Sequence, residues 1–120
     1  MKRRSVVAAL ILCLLITLLP PAAAAKFSDM PRDYSTEALQ AAVDNGLLNG
    51  WDGKIFPDDP LTRAQMAAIV VRAFGATREA SLTGFEDVSE SDWFYLDMAR
   101  AVHMKVIQGN GKRLMPNDPI

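Results

Sequence analysis

The chain has 120 residues, 50% of them hydrophobic, and a formal net charge of −1 at pH 7. Its length suits one small domain or two incomplete repeat units. A single cysteine and a single histidine exclude a disulfide framework and a zinc site built from several His and Cys ligands.

Residues 1–25 are predicted to be a secretory signal peptide. A basic start at 1–4 precedes an apolar run from Val6 to Leu19, and prolines and small residues follow, which is the usual order of such a peptide. A transmembrane anchor is the alternative, but the run is shorter than the roughly 20 residues that a spanning helix needs. We therefore expect export, with cleavage near Ala24 or Ala25.

Cleavage would change both the chemistry and the charge of the chain. Cys13 lies inside the apolar run, so the mature chain would have no thiol. The first 25 residues hold three of the 13 basic residues and none of the 14 acidic ones, which leaves a net charge of −4. An acidic exported chain without a basic stripe is not expected to bind nucleic acid.

The rest of the sequence repeats itself in part. Segments 27–30 and 85–88 share a Phe-x-Asp motif at an offset of 58 residues, and further on 57–61 matches 116–120 at an offset of 59. Such a period indicates modules that share a core with their neighbours. We predict a first module at 26–76, a linker at 77–84, and a second module at 85–120 that is truncated before its second helix.

The first module is predicted to begin with a helix. This helix starts at a cap, Ser35 or Asp33, and runs to about Asn45, where Gly46 ends it. Its apolar face consists of Ala38, Leu39, Ala42 and Val43. A tight turn is expected at 51–54, where Asp-Gly is a common turn signal.

The second helix has the clearest start. Thr62 is a good N-cap, and Gln65 stands three residues later, which is the capping-box spacing. Apolar residues then recur at helical intervals until Gly75. In the second module, Asp92 is predicted to cap a third helix. That helix is expected to carry Trp93, Leu96, Met98, Ala99, Val102 and, near its end, His103.

No constellation in the sequence indicates catalysis or metal binding. His103 is a lone histidine near a helix end, whereas a general base needs an oriented partner within reach. An EF-hand loop that opened at Asp52 would need glutamate at its twelfth position, where Arg63 stands. We predict no catalytic residue, no metal site and no cofactor in these residues.

The start of the second helix is the candidate binding site. Unpaired N–H groups and the helix dipole favour an anion there. Arg63, next to Thr62, adds a planar donor fork that suits a carboxylate. Trp51, with Tyr34 or Trp93, could offer flat apolar faces of the kind on which sugars stack. Together these features would suit an acidic sugar.

A purely structural role for the same residues is equally open at this point. Thr62 can simply cap the helix, and Arg63 can pair with Asp59 or Asp29. Trp51 can fill a small core.

These residues resemble a surface-layer homology (SLH) module. The likeness rests on the two Phe-x-Asp openings, on FPDDPLTRAQ at 56–65 and on MPNDPI at 115–120. The family's Ile-Thr-Arg-Ala-Glu string stands here as Leu-Thr-Arg-Ala-Gln. Gln65 replaces the family's glutamate, which removes a negative charge beside Arg63, but it still completes a capping box.

The resemblance implies a mainly α fold of helix–loop–helix modules, normally assembled three at a time into a pseudo-trimeric helical bundle. It implies noncovalent anchoring of an exported protein at the cell wall or surface layer, without catalysis. The usual ligand is a secondary cell-wall polysaccharide that carries pyruvate ketals, or a glycan linked to peptidoglycan. Grooves between modules bind it, and further SLH modules in the same chain would raise retention.

Carried onto this chain, the resemblance makes Arg63 the binding arginine, with Thr62 and Gln65 beside it. Trp51 and Lys54 lie in a loop that the family often presents to the groove, and Asp29 is included as a carboxylate of the opening motif. Two alternatives to direct anchoring remain. The modules could be a self-assembly domain of a surface-layer protein, or the anchor of an enzyme whose catalytic domain lies beyond residue 120.

Overall fold

A computed structural model describes residues 26–120, so the signal-peptide interpretation of residues 1–25 lies outside the described residues. The described part is mainly α, as the sequence predicts. Its helices are α1 (Thr36–Asp44), α2 (Arg63–Phe74) and α3 (Tyr95–His103), and its β-pairing consists of isolated bridges. We call 26–76 the first unit and 85–120 the second unit. None of the described helices is long and apolar enough to cross a membrane.

The two ends of α2 form as the sequence predicts. The Thr62 hydroxyl accepts a hydrogen bond from the Gln65 N–H at 3.2 Å, and the Gln65 side-chain oxygen accepts one from the Thr62 N–H at 2.9 Å. This reciprocal pair is the predicted capping box. Gly75 ends the helix in the left-handed conformation, with φ of 60°, which a glycine adopts without steric cost.

The aspartates before α1 and α3 do not cap these helices. Ser35 is the N-cap of α1 but makes no side-chain cap bond, and α3 starts after Phe94. Asp33 instead accepts hydrogen bonds from the N–H and the hydroxyl of Ser35, at 2.8 and 2.6 Å. Asp92 accepts one from the Ser89 N–H at 2.8 Å. Each carboxylate orders the turn before its helix, so the prediction that Asp92 caps α3 is wrong.

The main core lies between the two units. Helix α2 of the first unit packs on α3 of the second, whereas α1 packs on neither of these helices. Alanines on the buried face of α2 let the two backbones approach closely. The core residues are Ala64, Ala67, Val71, Leu82, Phe94, Met98, Ala99, Ala101, Ile107 and Leu114. The principal buried apolar cluster is therefore shared, as expected for a repeat protein.

Helix α1 carries the same apolar pattern as α3 but remains largely uncovered. Leu39 and Ala42 are only half-buried, whereas their repeat counterparts Met98 and Ala101 are 0% exposed in the core with α2. No residue of α1 is buried. The predicted apolar face of α1 therefore exists, but no helix among residues 26–120 covers it.

The surroundings of α3 differ from the sequence-based expectation in two places. Trp93 precedes the helix instead of lying on it, and both Trp93 and Leu96 are exposed. Leu82, in the segment predicted to be a polar linker, is only 3% exposed and belongs to the core. The Ala80 N–H donates to the Ala99 carbonyl at 3.0 Å, so this segment lies along α3.

Substitution of Ala67 by leucine tests whether close packing of α2 on α3 holds the units together. Ala67 is 0% exposed, and extra methylene groups in a filled core cost about 1–3 kcal/mol. We expect Ala67→Leu to lower the free energy of unfolding by that amount, measured by urea denaturation. Ala73→Leu, on the exposed side of the same helix, should change it by less than about 0.5 kcal/mol. If Ala67→Leu and Ala73→Leu lowered the free energy of unfolding equally, the result would contradict the shared core.

Lys105 occupies a position that suits glycine. It has φ of 64°, and its repeat counterpart Gly46 has φ of 70°. A left-handed residue with a Cβ is strained. We therefore expect Lys105→Gly to raise the free energy of unfolding by about 0.5–1 kcal/mol, because relief of strain outweighs the extra chain entropy of glycine. Lys105→Ala should give no such gain in the same denaturation assay, and Gly46→Ala should destabilise the chain.

Candidate functional site

The start of α2 is bound to the second unit through its backbone. The N–H of Arg63 donates to the Asp118 carbonyl at 2.9 Å, and the N–H of Ala64 donates to the Pro116 carbonyl at 2.9 Å. The N–H of Gln65 is used by the capping box. The first three N–H groups of α2 are therefore occupied. The expectation that unpaired N–H groups at this helix start would bind an anion is wrong.

The side chain of Arg63 is half-buried and also reaches the second unit. Its Nε donates to the Leu114 carbonyl at 3.0 Å, and its Nη2 donates to the Gln108 carbonyl at 2.6 Å. Its observed partners are carbonyls, so the pairing with Asp59 or Asp29 left open by the sequence is wrong for the described residues. A guanidinium has five N–H donors, and three of them have no hydrogen-bond partner within residues 26–120.

The aspartates of the two Phe-x-Asp motifs perform the same task in both units. Asp29 accepts hydrogen bonds from the N–H groups of residues 55 and 56, at 2.9 and 2.7 Å. Asp87 accepts them from residues 114 and 115, also at 2.9 and 2.7 Å. Asp29 therefore serves to order the loop of the first unit, and its described hydrogen bonds do not reach Arg63.

These hydrogen bonds set the protonation of both carboxyl groups. Partial burial by itself raises the pKa of Asp87, whose side chain is 14% exposed. The hydrogen bonds from Leu114 and Met115, with the nearby charge of Arg113, outweigh this effect and hold the pKa below the ordinary value of 3.8. Such bonds favour the charged form because they stabilise a carboxylate more than a carboxylic acid.

Trp51 and Lys54 are the ends of a two-residue hairpin. Two backbone hydrogen bonds of 2.8 and 3.0 Å join them. Asp52 and Gly53 between them have φ of 48° and 70°, as the tight type I′ turn requires. The side chain of Trp51 is 78% exposed, so the alternative in which Trp51 fills a core is wrong. Lys54 is also exposed.

The glycine before each hairpin makes room for the phenylalanine of the Phe-x-Asp motif. A Cβ on Gly50 would collide with the ring of Phe27, and a Cβ on Gly109 would lie 2.6 Å from the ring of Phe85. A side chain at either site would also meet a hairpin carbonyl, that of Lys54 or Arg113, so it does not fit without displacement of both the ring and the backbone. The repeated Phe, Asp and Gly thus position the hairpin of each unit against its own opening segment.

Two clefts lie beside these elements. The first cleft, of about 520 Å³, lies between α2 and the second unit. Arg63 contributes its charge, and the other lining residues are apolar: Met66, Ala67, Val70, Val106, Ile107, Pro119 and Ile120. Both units supply its walls, so the cleft depends on their relative position.

The second cleft, of about 590 Å³, lies beside α1 and is more polar. Tyr34, which is 97% exposed, stands at this cleft. The cleft is lined by Asp29, Pro31, Arg32, Asp33, Tyr34, Ser35, Ala38, Leu39, Pro57 and Asp58. Three of these, Ser35, Leu39 and Pro57, match buried residues of the second unit, namely Phe94, Met98 and Pro116. The second cleft therefore corresponds to the region that α2 covers in the second unit.

The structure divides the predicted site residues into two groups. Thr62, Arg63 and Gln65 lie together at the start of α2. Trp51 and Lys54 form the hairpin, and Asp29 accepts a hydrogen bond from the N–H of the residue that directly follows the hairpin. The described hydrogen bonds of Arg63 do not connect the groups. Sequence reasoning missed the carbonyl acceptors of Arg63, because any residue type can supply a backbone carbonyl.

The fold and site together define a class of repeat protein. Each unit contains an ordered hairpin loop, and a capped helix from one unit is docked by its arginine onto the next unit.

Comparison with known families identifies the repeat. The model of the S-layer homology domain matches residues 26–67 and 84–120, and the chain belongs to this family. This domain is a non-catalytic anchoring domain associated with the cell surface.

Several larger proteins contain a similar stretch. The surface-layer 125 kDa protein of Lysinibacillus sphaericus is 38% identical over 101 residues, which cover 78% of this chain and 9% of that protein. Endo-1,4-beta-xylanase A of Thermoanaerobacterium saccharolyticum is 29% identical over 111 residues, which cover 89% of this chain and 10% of that protein. The chain thus spans about a tenth of the length of these relatives.

Acid should weaken the fold through Asp87. The pKa of Asp87 is lowered in the folded state. The contribution of the carboxylate to the free energy of unfolding is therefore complete above the unfolded pKa of 3.8, and it is lost as the pH falls through the lower folded pKa. We expect Asp87→Asn to cost about 1–3 kcal/mol at pH 7, because Leu114 and Met115 donate to different carboxylate oxygens and the NH₂ group that replaces one of them cannot accept a hydrogen bond. Urea denaturation should show this difference narrowing below about pH 4.

The control for this measurement is Asp118→Asn. The side chain of Asp118 is exposed and accepts no hydrogen bond among the described residues. Its substitution should change the free energy of unfolding by less than about 0.5 kcal/mol at pH 7. A loss as large as that of Asp87→Asn would show that the two N–H bonds are not the cause.

Proposed function

We propose that this chain anchors an exported protein to the cell wall by binding a secondary cell-wall polysaccharide that carries acidic groups such as pyruvate ketals. The observation that carries the proposal is the position of Arg63. It lines the open cleft between the two units, and part of its guanidinium has no hydrogen-bond partner among residues 26–120. The remaining N–H groups are the donors for the ligand carboxylate.

The first cleft matches the chemistry of a sugar with a ketal carboxylate. Arg63 offers a charge-assisted hydrogen bond to the carboxylate. Met66, Val70 and Ile107 offer an apolar wall for the C–H faces of the ring and for the ketal methyl group. One charge-assisted hydrogen bond contributes about 1.5–3 kcal/mol, so a single cleft binds weakly. Several modules on one polymer raise retention through effective concentration.

The hairpin of the first unit supplies a second contact in this proposal. The indole of Trp51 presents a large exposed face, and Lys54 adds a positive charge at the other end of the same turn. An exposed indole that fills no core has an apolar face available for a sugar ring. Thr62 and Gln65 act indirectly, since their capping box fixes the helix that carries Arg63.

Two other roles remain compatible with the comparisons. The likeness to a surface-layer protein suggests self-assembly with other copies, and the likeness to a xylanase suggests an anchor for an enzyme. Wall anchoring is compatible with both roles, because the self-assembling domain or the enzyme would then be a separate part of the same protein. Self-assembly alone predicts no binding to isolated wall material.

Retention on purified cell-wall sacculi tests the proposal. The full chain is mixed with untreated sacculi and with sacculi from which the pyruvylated polymer has been removed chemically, and the unbound fraction is measured. We expect retention on the untreated material alone, and weaker retention at about 1 M salt, which screens the charge of Arg63. Equal retention on both would reject this ligand, and no retention on either would reject anchoring by this chain.

Trp51→Ala tests the contribution of the hairpin. We expect it to weaken retention about tenfold, which corresponds to about 1.4 kcal/mol, without a change in the free energy of unfolding, because the indole is exposed. The matched control is Phe74→Ala, which removes another exposed aromatic ring at the far end of α2. Equal losses from both variants would assign the effect to general surface apolarity.

A further inference from the structure

We propose that Arg63 is a positioning residue that clamps the hairpin loop of the second unit onto α2, and that it also acts on the bound polymer through this clamp. The two carbonyls that it binds belong to Gln108 and Leu114. These residues flank the hairpin of the second unit, which closes between Asn110 and Arg113. One guanidinium therefore ties both strands at the base of this hairpin.

Arg63 and Asp87 bind the backbone of the same residue in the hairpin loop of the second unit. Asp87 holds the N–H of Leu114, while Arg63 holds the carbonyl of the same residue. Leu114 is 0% exposed, so its backbone is fixed from two sides in the core. The loop is thus held by one group of its own unit and by one group of the preceding unit. Of these two groups, only Arg63 ties the loop to α2.

The geometry requires arginine. The two acceptors belong to residues on either side of the hairpin, and the Nε and Nη2 groups of the planar guanidinium reach them with separate N–H bonds. A lysine ammonium is a compact charge on a flexible stem and does not provide this fixed fork. Loss of the side chain would leave a half-buried carbonyl without a partner, which carries a desolvation cost.

The clamp links the position of the second unit to the first cleft. Val106 and Ile107 form part of the wall of this cleft and directly precede Gln108. Release of Gln108 would therefore move that wall away from α2. Substitution of Arg63 would then abolish polymer retention even where the polymer does not touch the guanidinium. The part of this inference that concerns retention rests on the proposed function, whereas the coupling of the units does not.

Hydrogen exchange without any ligand tests the coupling. The amides to follow are those of Ala64 and Arg113, which donate to Pro116 and Asn110. We expect Arg63→Ala to accelerate the exchange of both amides at least tenfold. Arg63→Lys should retain only a small part of the protection that the arginine provides.

The matched control is Arg72→Ala. Arg72 also lies on α2 and donates to a backbone carbonyl, that of Leu47, at 3.1 Å, but within the first unit. Its substitution should leave the exchange of both amides unchanged. Unchanged exchange in Arg63→Ala, or equal acceleration in Arg72→Ala, would overturn the clamp.

A covalent tether separates positioning from direct ligand contact. The Ile120 N–H donates to the Leu61 carbonyl at 2.9 Å, and Thr62 pairs with Pro119 in an antiparallel bridge. Leu61 and Ile120 therefore lie opposite each other, at a spacing that suits a disulfide. The variant is the full chain with Cys13→Ser, Arg63→Ala, Leu61→Cys and Ile120→Cys. Its parent without Arg63→Ala is the control, and all retention is compared with this parent because the shared Ile120→Cys change lies in the lining of the first cleft.

We expect the oxidised tether to restore part of the sacculus retention of the Arg63→Ala chain, because it repositions the second unit but does not replace the guanidinium donors, and reduction of the disulfide to remove this recovered part. Restored exchange protection without restored retention would show that Arg63 acts only by direct contact with the polymer, which overturns its positioning role in binding. Failure of the unsubstituted chain to bind sacculi would refute the proposed function. In that case the exchange measurement still decides whether the clamp exists.

Discussion

The docking of α2 onto backbone carbonyls of the second unit is the interaction on which the rest of the structure depends. The first N–H groups of a helix have no partner within it. Here Asp118 and Pro116 supply two of the partners, and Leu114 and Gln108 accept the side chain of Arg63. These bonds bring the alanine face of α2 onto α3, where the main apolar cluster of the described chain forms. The bonds and the core therefore require the same relative position of the two units.

The sequence predicted the features that depend on local geometry. The capping box of Thr62 and Gln65, the end of α2 at Gly75 and the turn at 51–54 involve residues a few positions apart, so short motifs encode them. The cap predicted at Asp92 failed because a nearby turn competed for the same carboxylate. Asp and Asn side chains often satisfy their local backbone in this way.

Features that depend on distant partners could not be predicted in the same manner. Leu82 lies in a stretch that reads as polar linker, and only the approach of α3 buries it. Arg63 was recognised as important, but its partners are carbonyls 45 and 51 residues away in the chain. A carbonyl has no residue-specific signature, so the sequence suggested aspartate partners and an unoccupied helix start, and neither is found among residues 26–120.

The head-to-tail direction of the contact between units has a consequence for how such chains vary. The first unit gives a helix and the second unit receives it, so the surfaces on the two sides of the junction differ in kind. Helix α1, with the second cleft beside it, presents on the first unit the side that α3 uses to receive α2. When a whole unit is inserted into a row of units or deleted from it, the units that then become neighbours can therefore form the same type of junction. Copy number can change by gene duplication or deletion without the invention of a new interface.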